Sequence, residues 1–119
     1  AYILLEGGTY TSVQKYSNTK PLDMNNKDLI LKHALAGEYM GNKIIYFDCG
    51  SGAKNTMDIK LIRYISKYVS IPIMVGGGIL TDKDVNEVVN AGASFVVRGT
   101  LFEKRAAKSI DRNSYKLIK

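Results

Sequence analysis

Residues 71–78 are Ile-Pro-Ile-Met-Val-Gly-Gly-Gly, an apolar run closed by three consecutive glycines. A run without polar alternation is typical of a strand that is buried on both faces, as in a parallel sheet flanked by helices. Pro72 stands near its start, where a missing N–H group is tolerated. Because α/β proteins bind ligands at the carboxyl ends of their strands, the glycines predict a ligand-binding turn.

Similar segments lie on both sides of this stretch. Apolar runs predict four strands in all, over residues 2–5, 44–47, 71–75 and 94–97. Helices are predicted over residues 28–40, 56–69 and 81–92, with a last, basic helix from about Leu101. In the first of them Ile30, Ala34 and Gly37 form one stripe. Thr56 and Thr81 are predicted to cap the second and third, and Gly92 to end the third. A long polar loop joins the first strand to the first helix. Four βα units make half of an eight-unit barrel or a small open sheet, and composition alone does not decide between them.

The composition limits the classes of protein to consider. With 119 residues, 45% hydrophobic and 24% charged, the chain suits one globular domain. The net charge of +6 favours anionic partners, but the basic residues are scattered, which argues against nucleic acid. The single cysteine predicts a reducing, cytoplasmic setting, and no apolar run is long enough for a membrane span. The chain begins at Ala1, directly before an apolar run, which predicts a fragment or one piece of a split gene.

Glycine-containing turns follow the last three predicted strands, and together they predict a phosphate site. They are Gly50-Ser51-Gly52, Gly76-Gly77-Gly78 and Gly99-Thr100. Glycines let backbone N–H groups approach an anion, and the serine adds a hydroxyl donor. Barrel enzymes hold phosphates between the loops after their seventh and eighth strands, and the last two turns fit that site if they follow those strands. For each motif taken alone, a tight turn without a ligand is the alternative.

Asp48 closes the second predicted strand and is the candidate catalytic carboxylate. A carboxylate at the mouth of a buried strand needs a partner, because burying it unpaired is costly. It could accept a hydrogen bond, and a proton, from a substrate hydroxyl; the alternatives are a loop cap or a pair with a lysine. His33 and Cys49 are assigned structural roles, since neither has a catalytic partner in view.

Four stretches resemble the geranylgeranylglyceryl phosphate synthases of archaea. They are residues 19–22 (TKPL), 34–41 (ALAGEYMG), 45–53 (IYFDCGSGA), and the paired residues 75–79 (VGGGI) and 97–100 (VRGT). The glycine motifs recur in many phosphate-binding barrels, whereas the order of all four, with Tyr-x-acid-x-Gly-Ser-Gly-Ala, is much more specific. The resemblance extends from Ala1 to about Glu103.

The resemblance implies a (β/α)8 TIM barrel, of which residues 1–119 form the carboxyl-terminal half, with parallel strands 5–8. It implies a prenyltransferase of archaeal membrane phospholipid biosynthesis, which joins the geranylgeranyl group of geranylgeranyl diphosphate to the 3-hydroxyl of sn-glycerol 1-phosphate with Mg²⁺. Tyr46 and Asp48 would lie at the glycerol hydroxyls, with Asp48 drawing the proton. The phosphate would be held by the glycine turns, at Gly50, Ser51, Gly52, Gly76, Gly77, Gly78, Gly99 and Thr100.

Three features depart from the family pattern. Asp48 stands where the family usually has Glu, and Arg98 replaces a small or apolar residue and could add charge near the phosphate. The first four strands are absent, and in the family they supply the Mg²⁺-binding acid and a lysine near the diphosphate. No metal ligand is therefore expected in this chain. We expect inactivity without an amino-terminal half, and either a homo-oligomer or pairing with such a half.

Two other functions stay open at this point. One is another phosphate-binding barrel enzyme, of the histidine or thiamine biosynthesis type. The other is non-catalytic: a half-barrel that binds phosphate, or a small receiver-like domain. A receiver needs an acidic cluster, whereas Glu6 is alone at the first strand and Asp48 lacks an acidic neighbour. The prenyl chain length is also open, because bacterial relatives use heptaprenyl diphosphate.

Overall fold

Four parallel strands and four helices make up residues 1–99, the part of the chain that the computed structural model describes. The strands are β1 (Tyr2–Leu4), β2 (Ile45–Asp48), β3 (Ile73–Gly76) and β4 (Phe95–Val97). The helices are α1 (Ser12–Ser17), α2 (Lys27–Tyr39), α3 (Ile59–Ser66) and α4 (Asp82–Ala91). All four predicted strands are confirmed. Thr100 and the predicted last helix lie outside the described residues.

The order of the strands decides between the two architectures that composition leaves open. Each strand is parallel to the next, in the order β1-β2-β3-β4, and the helices provide the crossovers. A doubly wound open sheet reverses its strand order at a switch point, and residues 1–99 contain no such reversal. The described residues therefore form half of a (β/α)8 barrel.

The helices pack on one face of the sheet, and the core lies between them. Alternate residues of β2 and β3 point to this face and are at most 2% exposed: Ile45, Phe47, Ile73 and Val75. The helices contribute Ile30, Ala34, Ile62, Ile65 and Val88 to the same cluster. The stripe predicted for the first long helix is confirmed, because the buried residues of α2 are Ile30, Ala34 and Gly37.

The other face of the sheet contradicts a prediction. The apolar runs predict that the last three strands are buried on both faces. This is wrong for β4, whereas Tyr46 of β2 and Met74 of β3, on the same face, are partly buried. Tyr2 is 48% exposed, Phe95 50% and Val97 38%, and the strand register places all three opposite the helix-facing side. The physical reason is that the helices cover one face only, while the inner face of a barrel is covered by strands across the barrel.

The segment after β1, predicted as a polar loop, contains a short helix. α1 has six residues and none of them is buried, so it has no apolar stripe to detect. A capping box holds its start: the Thr11 hydroxyl accepts the N–H of Gln14, and the Gln14 side chain accepts the N–H of Thr11. Asn18, in the left-handed conformation with φ of 51°, ends the helix. Local hydrogen bonds rather than burial therefore define α1.

The boundaries of the longer helices follow their capping residues. Thr81 caps α4 and Gly92 follows its last residue, as predicted. The prediction that Thr56 caps the second long helix is wrong, because Asp58 is the cap and accepts the N–H of Lys60. Aspartate competes well with threonine at this position. In the described part of the chain, no helix combines the length and apolarity needed to cross a membrane.

Candidate active site at the carboxyl ends of the strands

A cavity of about 290 Å³ opens where β2, β3 and β4 end. Seven of the predicted site residues line it: Tyr46, Asp48, Ser51, Gly52, Gly77, Gly78 and Gly99. This is the edge at which parallel α/β folds place their ligands, because the loops that follow the strands meet there. The fold thus brings the candidate carboxylate and the glycine turns to one cavity. Thr100, the other predicted residue of the last turn, lies outside the described residues.

Gly50 and Gly76 do not line the cavity, although both belong to the predicted phosphate turns. The Gly50 N–H donates to Asp48 Oδ1 at 2.8 Å, so this donor is already used inside the protein. A Cβ atom at Gly50 would lie 2.1 Å from the Thr11 side chain, and one at Gly76 would lie 2.5 Å from the Tyr46 hydroxyl. In the described structure, both glycines allow close packing beneath the site.

The turn after β3 passes directly against the loop after β2. Gly77 has φ of +88°, and a Cβ atom there would lie 2.7 Å from the backbone oxygen of Gly50. Gly78 has φ of +71°, and its Cβ atom would lie 2.7 Å from the backbone of Asn55. Only glycine tolerates both the positive φ and this backbone contact. The close approach leaves the backbone of the turn at the cavity wall, where an anion can reach N–H groups.

Asp48 is held by two hydrogen-bond donors. Its Oδ1 accepts the Gly50 N–H, and its Oδ2 accepts the Tyr2 hydroxyl at 2.5 Å. Burial, the hydrogen bond to Asp48 and the Asp48 charge raise the pKa of Tyr2 well above its usual value, so this phenol keeps its proton. Sequence patterns miss Tyr2 because its proximity to Asp48 depends on the register between β1 and β2. The one indication in the sequence is that Tyr2 places a hydroxyl in an otherwise apolar run.

Tyr46 lies beside this pair. Its ring contacts the Tyr2 ring edge-on, with centroids 5.4 Å apart and planes at 78°. Burial, followed by the Asp48 charge, raises the pKa of Tyr46 to about 12. The phenol is therefore protonated at neutral pH. Within residues 1–99 its hydroxyl has no hydrogen-bond partner, and its side chain lines the cavity, so it can donate to a bound ligand.

Arg98 lines the cavity and joins the end of β4 to the start of α4. Its side chain is 13% exposed; Nη1 donates to Asp82 at 2.7 Å and Nη2 donates to the Leu80 carbonyl at 3.0 Å. The expected charge is thus present at the cavity wall, and Asp82 balances part of it. The two bonds hold Leu80 and Asp82, which follow the glycine turn after β3, against the end of β4.

Residues 1–99 contain neither a group of side chains that fits a metal ion nor a reactive cysteine. Among residues 1–99, no three His, Cys, Asp or Glu side chains gather in a group that could hold a metal ion, so these residues alone do not fit Mg²⁺. Cys49 is buried, and burial raises the pKa of its thiol to about 12, which leaves it an unreactive thiol at neutral pH. His33 is exposed on α2, away from the cavity.

A family model with the description "PcrB family" matches residues 1–116, nearly the whole chain. The chain belongs to the PcrB family.

Several relatives and solved structures carry the same enzyme name. The chain is 49% identical over 102 residues to the geranylgeranylglyceryl phosphate synthase of Flavobacterium johnsoniae, covering 86% of this chain and 42% of that protein. It is 36% identical over 117 residues to the synthase of Pyrococcus abyssi, covering 98% of this chain and 45% of the relative. A structure from Thermoplasma acidophilum, in complex with its substrate sn-glycerol-1-phosphate, superposes with a TM-score of 0.79 at 30% identity. That match covers 85% of this chain and 40% of the other.

This PcrB-family chain therefore spans less than half the length of the relatives that it matches. The match to under half of a solved chain agrees with a half-barrel of four βα units. The family resemblance stated from the sequence motifs is confirmed.

Proposed function

We propose that this chain forms the part of a prenyltransferase that binds sn-glycerol 1-phosphate and activates its 3-hydroxyl for transfer of a geranylgeranyl group. The observation that carries the proposal is the cavity that Asp48 and Tyr46 line together with the glycine turns. A polyol phosphate has an anionic group that backbone N–H donors can bind and hydroxyl groups that a carboxylate and a phenol can bind. The solved relative with sn-glycerol-1-phosphate bound, similar over 85% of this chain, supports it.

The phosphate would bind at the glycine end of the cavity. Gly77, Gly78 and Gly99 bring backbone to the wall, and Ser51 adds a hydroxyl and an N–H group. The nearby Arg98 adds positive charge without leaving its contact with Asp82. Thr100 follows Gly99 directly and belongs to the same proposed turn.

The glycerol hydroxyls would bind at the other end, beside Asp48 and Tyr46. Asp48 would accept a hydrogen bond from the 3-hydroxyl and take its proton as that oxygen bonds to the first carbon of the prenyl group. The bond between this carbon and the diphosphate oxygen breaks, and diphosphate leaves with the electron pair. Tyr46, protonated at neutral pH, would donate to a glycerol oxygen and align it.

The prenyl diphosphate and its metal need residues that lie beyond this half-barrel. No metal-ligating group forms within residues 1–99, so we propose that Mg²⁺ and the diphosphate bind to strands that complete the barrel, supplied by an amino-terminal half. The exposed inner face, with Phe95 half exposed, is where such strands would pack. We further propose a cytoplasmic enzyme that assembles as a homo-oligomer or with that half, and that is inactive without it.

A complementation assay tests the proposal. The chain is assayed alone and co-expressed with the amino-terminal half of the Flavobacterium johnsoniae relative, using labelled sn-glycerol 1-phosphate, geranylgeranyl diphosphate and Mg²⁺. We expect product only in the complemented sample, and a loss of about 10²–10⁴-fold in Asp48→Asn. Glu87→Gln, which neutralises an exposed carboxylate on α4, should keep full activity. Equal activity in Asp48→Asn and the parent chain would refute the role of Asp48. Phosphate binding without any product would indicate a binding module instead.

A further inference from the structure

We infer that Tyr2 is a positioning residue: its hydroxyl fixes the Asp48 carboxylate in the orientation that recognises the glycerol end of the substrate. The inference rests on the proposed function and adds a residue to it. Tyr2 does not itself line the cavity, so its hydroxyl acts on the ligand through Asp48, the group to which it donates.

The strand register brings Tyr2 to this place. β1 and β2 pair in parallel, with Tyr2 opposite Tyr46 and Leu4 opposite Asp48. Tyr2, Tyr46 and Asp48 therefore project from the same face of the sheet. The length of the phenol lets Tyr2 reach diagonally along this face, and its hydroxyl donates to Asp48 Oδ2 at 2.5 Å.

Two donors from different directions define the plane of the carboxylate. Gly50, which follows β2, donates to Oδ1 at 2.8 Å, and Tyr2 donates to Oδ2 from the neighbouring strand. Each carboxylate oxygen keeps further acceptor capacity, so both bonds persist while a ligand hydroxyl binds. Without the phenol the backbone bond alone remains, and the Asp48 side chain can turn about its terminal torsion, which has a broad energy minimum.

The two tyrosines of this face have different hydrogen-bonding roles. The Tyr2 hydroxyl donates to Asp48, whereas the Tyr46 hydroxyl has no partner within residues 1–99 and the Tyr46 side chain lines the cavity. Their rings contact edge-on, so Tyr46 also keeps the Tyr2 ring in place. The ligand therefore meets a phenol and a carboxylate whose orientations are already set.

Binding measurements on the full chain test this role. We would titrate sn-glycerol 1-phosphate and inorganic phosphate into the parent chain, Tyr2→Phe, Asp48→Ala and the double variant, after confirming by thermal unfolding that each is folded. Tyr2→Phe should weaken sn-glycerol 1-phosphate binding by roughly 3- to 10-fold, the effect of one lost hydrogen bond, and leave phosphate binding within about twofold. In the Asp48→Ala background, Tyr2→Phe should change neither affinity by more than about twofold, because its target is gone.

Tyr64→Phe is the matched control, since the Tyr64 hydroxyl also donates to an aspartate, Asp28, at 2.9 Å, but lies outside the cavity. It should change neither affinity. Equal weakening of both ligands in Tyr2→Phe would show a purely structural role and overturn the inference. So would an undiminished effect in the Asp48→Ala background, or no effect in the parent chain. A parent chain that binds sn-glycerol 1-phosphate no better than phosphate would overturn the proposed function, and the inference with it.

Discussion

The backbone of Gly77 passes so close to Gly50 that no side chain fits between them. A Cβ atom at Gly77 would lie 2.7 Å from the Gly50 oxygen and 2.8 Å from its nitrogen. Gly41 has nearly the same conformation, with φ of +90° against +88°, but nothing lies within 4 Å of its Cβ position. The two positions thus separate backbone strain from steric contact.

We predict that Gly41→Ala lowers the free energy of unfolding by about 1–2 kcal/mol, the cost of a left-handed alanine. Gly77→Ala should lower the free energy of unfolding by at least twice as much, because the loop after β2 must also move. It should also weaken phosphate binding, whereas Gly41→Ala should not. Urea denaturation and phosphate titration give both quantities. Equal losses of stability in the two variants would mean that the loop after β2 moves at little cost, so that its contact with Gly77 does not make the turn rigid.

At the same scale, residue patterns predict part of the site and miss another part for a physical reason. Asp48 and the glycines follow apolar runs directly, so their place at one edge of the sheet depends only on the parallel topology. Tyr2 lies 46 residues before Asp48, and their contact depends on the pairing of Tyr2 with Tyr46. Periodicity along one strand contains no information about register against another, and β1 gives few residues from which to infer it.

Among the elements, the long helices are predictable and α1 is not. α2 and α3 bury an apolar stripe, and burial sets the spacing of their residues. α1 buries nothing and depends on Thr11 and Gln14, a pattern too short to distinguish from a turn. The start of α3 differs from its prediction by two residues because two capping residues, Thr56 and Asp58, compete.

The contribution of the α4 capping box to stability should depend on pH. Asp84 Oδ2 accepts the N–H groups of Thr81 at 2.9 Å and Leu80 at 3.1 Å, and these bonds lower the pKa of its carboxyl. A carboxyl whose pKa is lower in the folded state stabilises the fold above its unfolded pKa, near 4, and loses this effect as pH falls through the folded value. Asp84→Asn should therefore cost about 0.5–1 kcal/mol at pH 7, and the cost should shrink below about pH 4.

Urea denaturation between pH 3 and 7 measures this difference. Glu87→Gln is the control, because it neutralises a carboxylate on the same helix whose ion pair within residues 1–99, with Lys83 at 3.7 Å, is exposed. Its cost should stay within about 0.5 kcal/mol at every pH. A cost for Asp84→Asn that does not vary with pH would show that geometry, rather than charge, holds the start of α4.

At the scale of the whole molecule, the sheet formed within residues 1–99 has one buried and one open face, and one residue on each face allows a comparison. Ile45 is fully buried among the helices, whereas Phe95 is 50% exposed on the inner face. Phenylalanine is the larger side chain, so in a uniformly buried sheet its removal would cost at least as much. Because Phe95 is half exposed, Phe95→Ala removes fewer contacts and should cost less stability than Ile45→Ala.

We predict that Ile45→Ala lowers the free energy of unfolding of the chain by about 2–5 kcal/mol, and that Phe95→Ala lowers it by less than about 2 kcal/mol. With the amino-terminal half of a PcrB-family relative bound, the cost of Phe95→Ala should rise toward the 3–5 kcal/mol typical of a buried phenylalanine, while that of Ile45→Ala stays constant. Urea denaturation of the chain and of the complemented complex tests this. A large cost of Phe95→Ala in the chain alone would mean that its inner face is already covered in solution, and sedimentation would then show whether a second copy covers it.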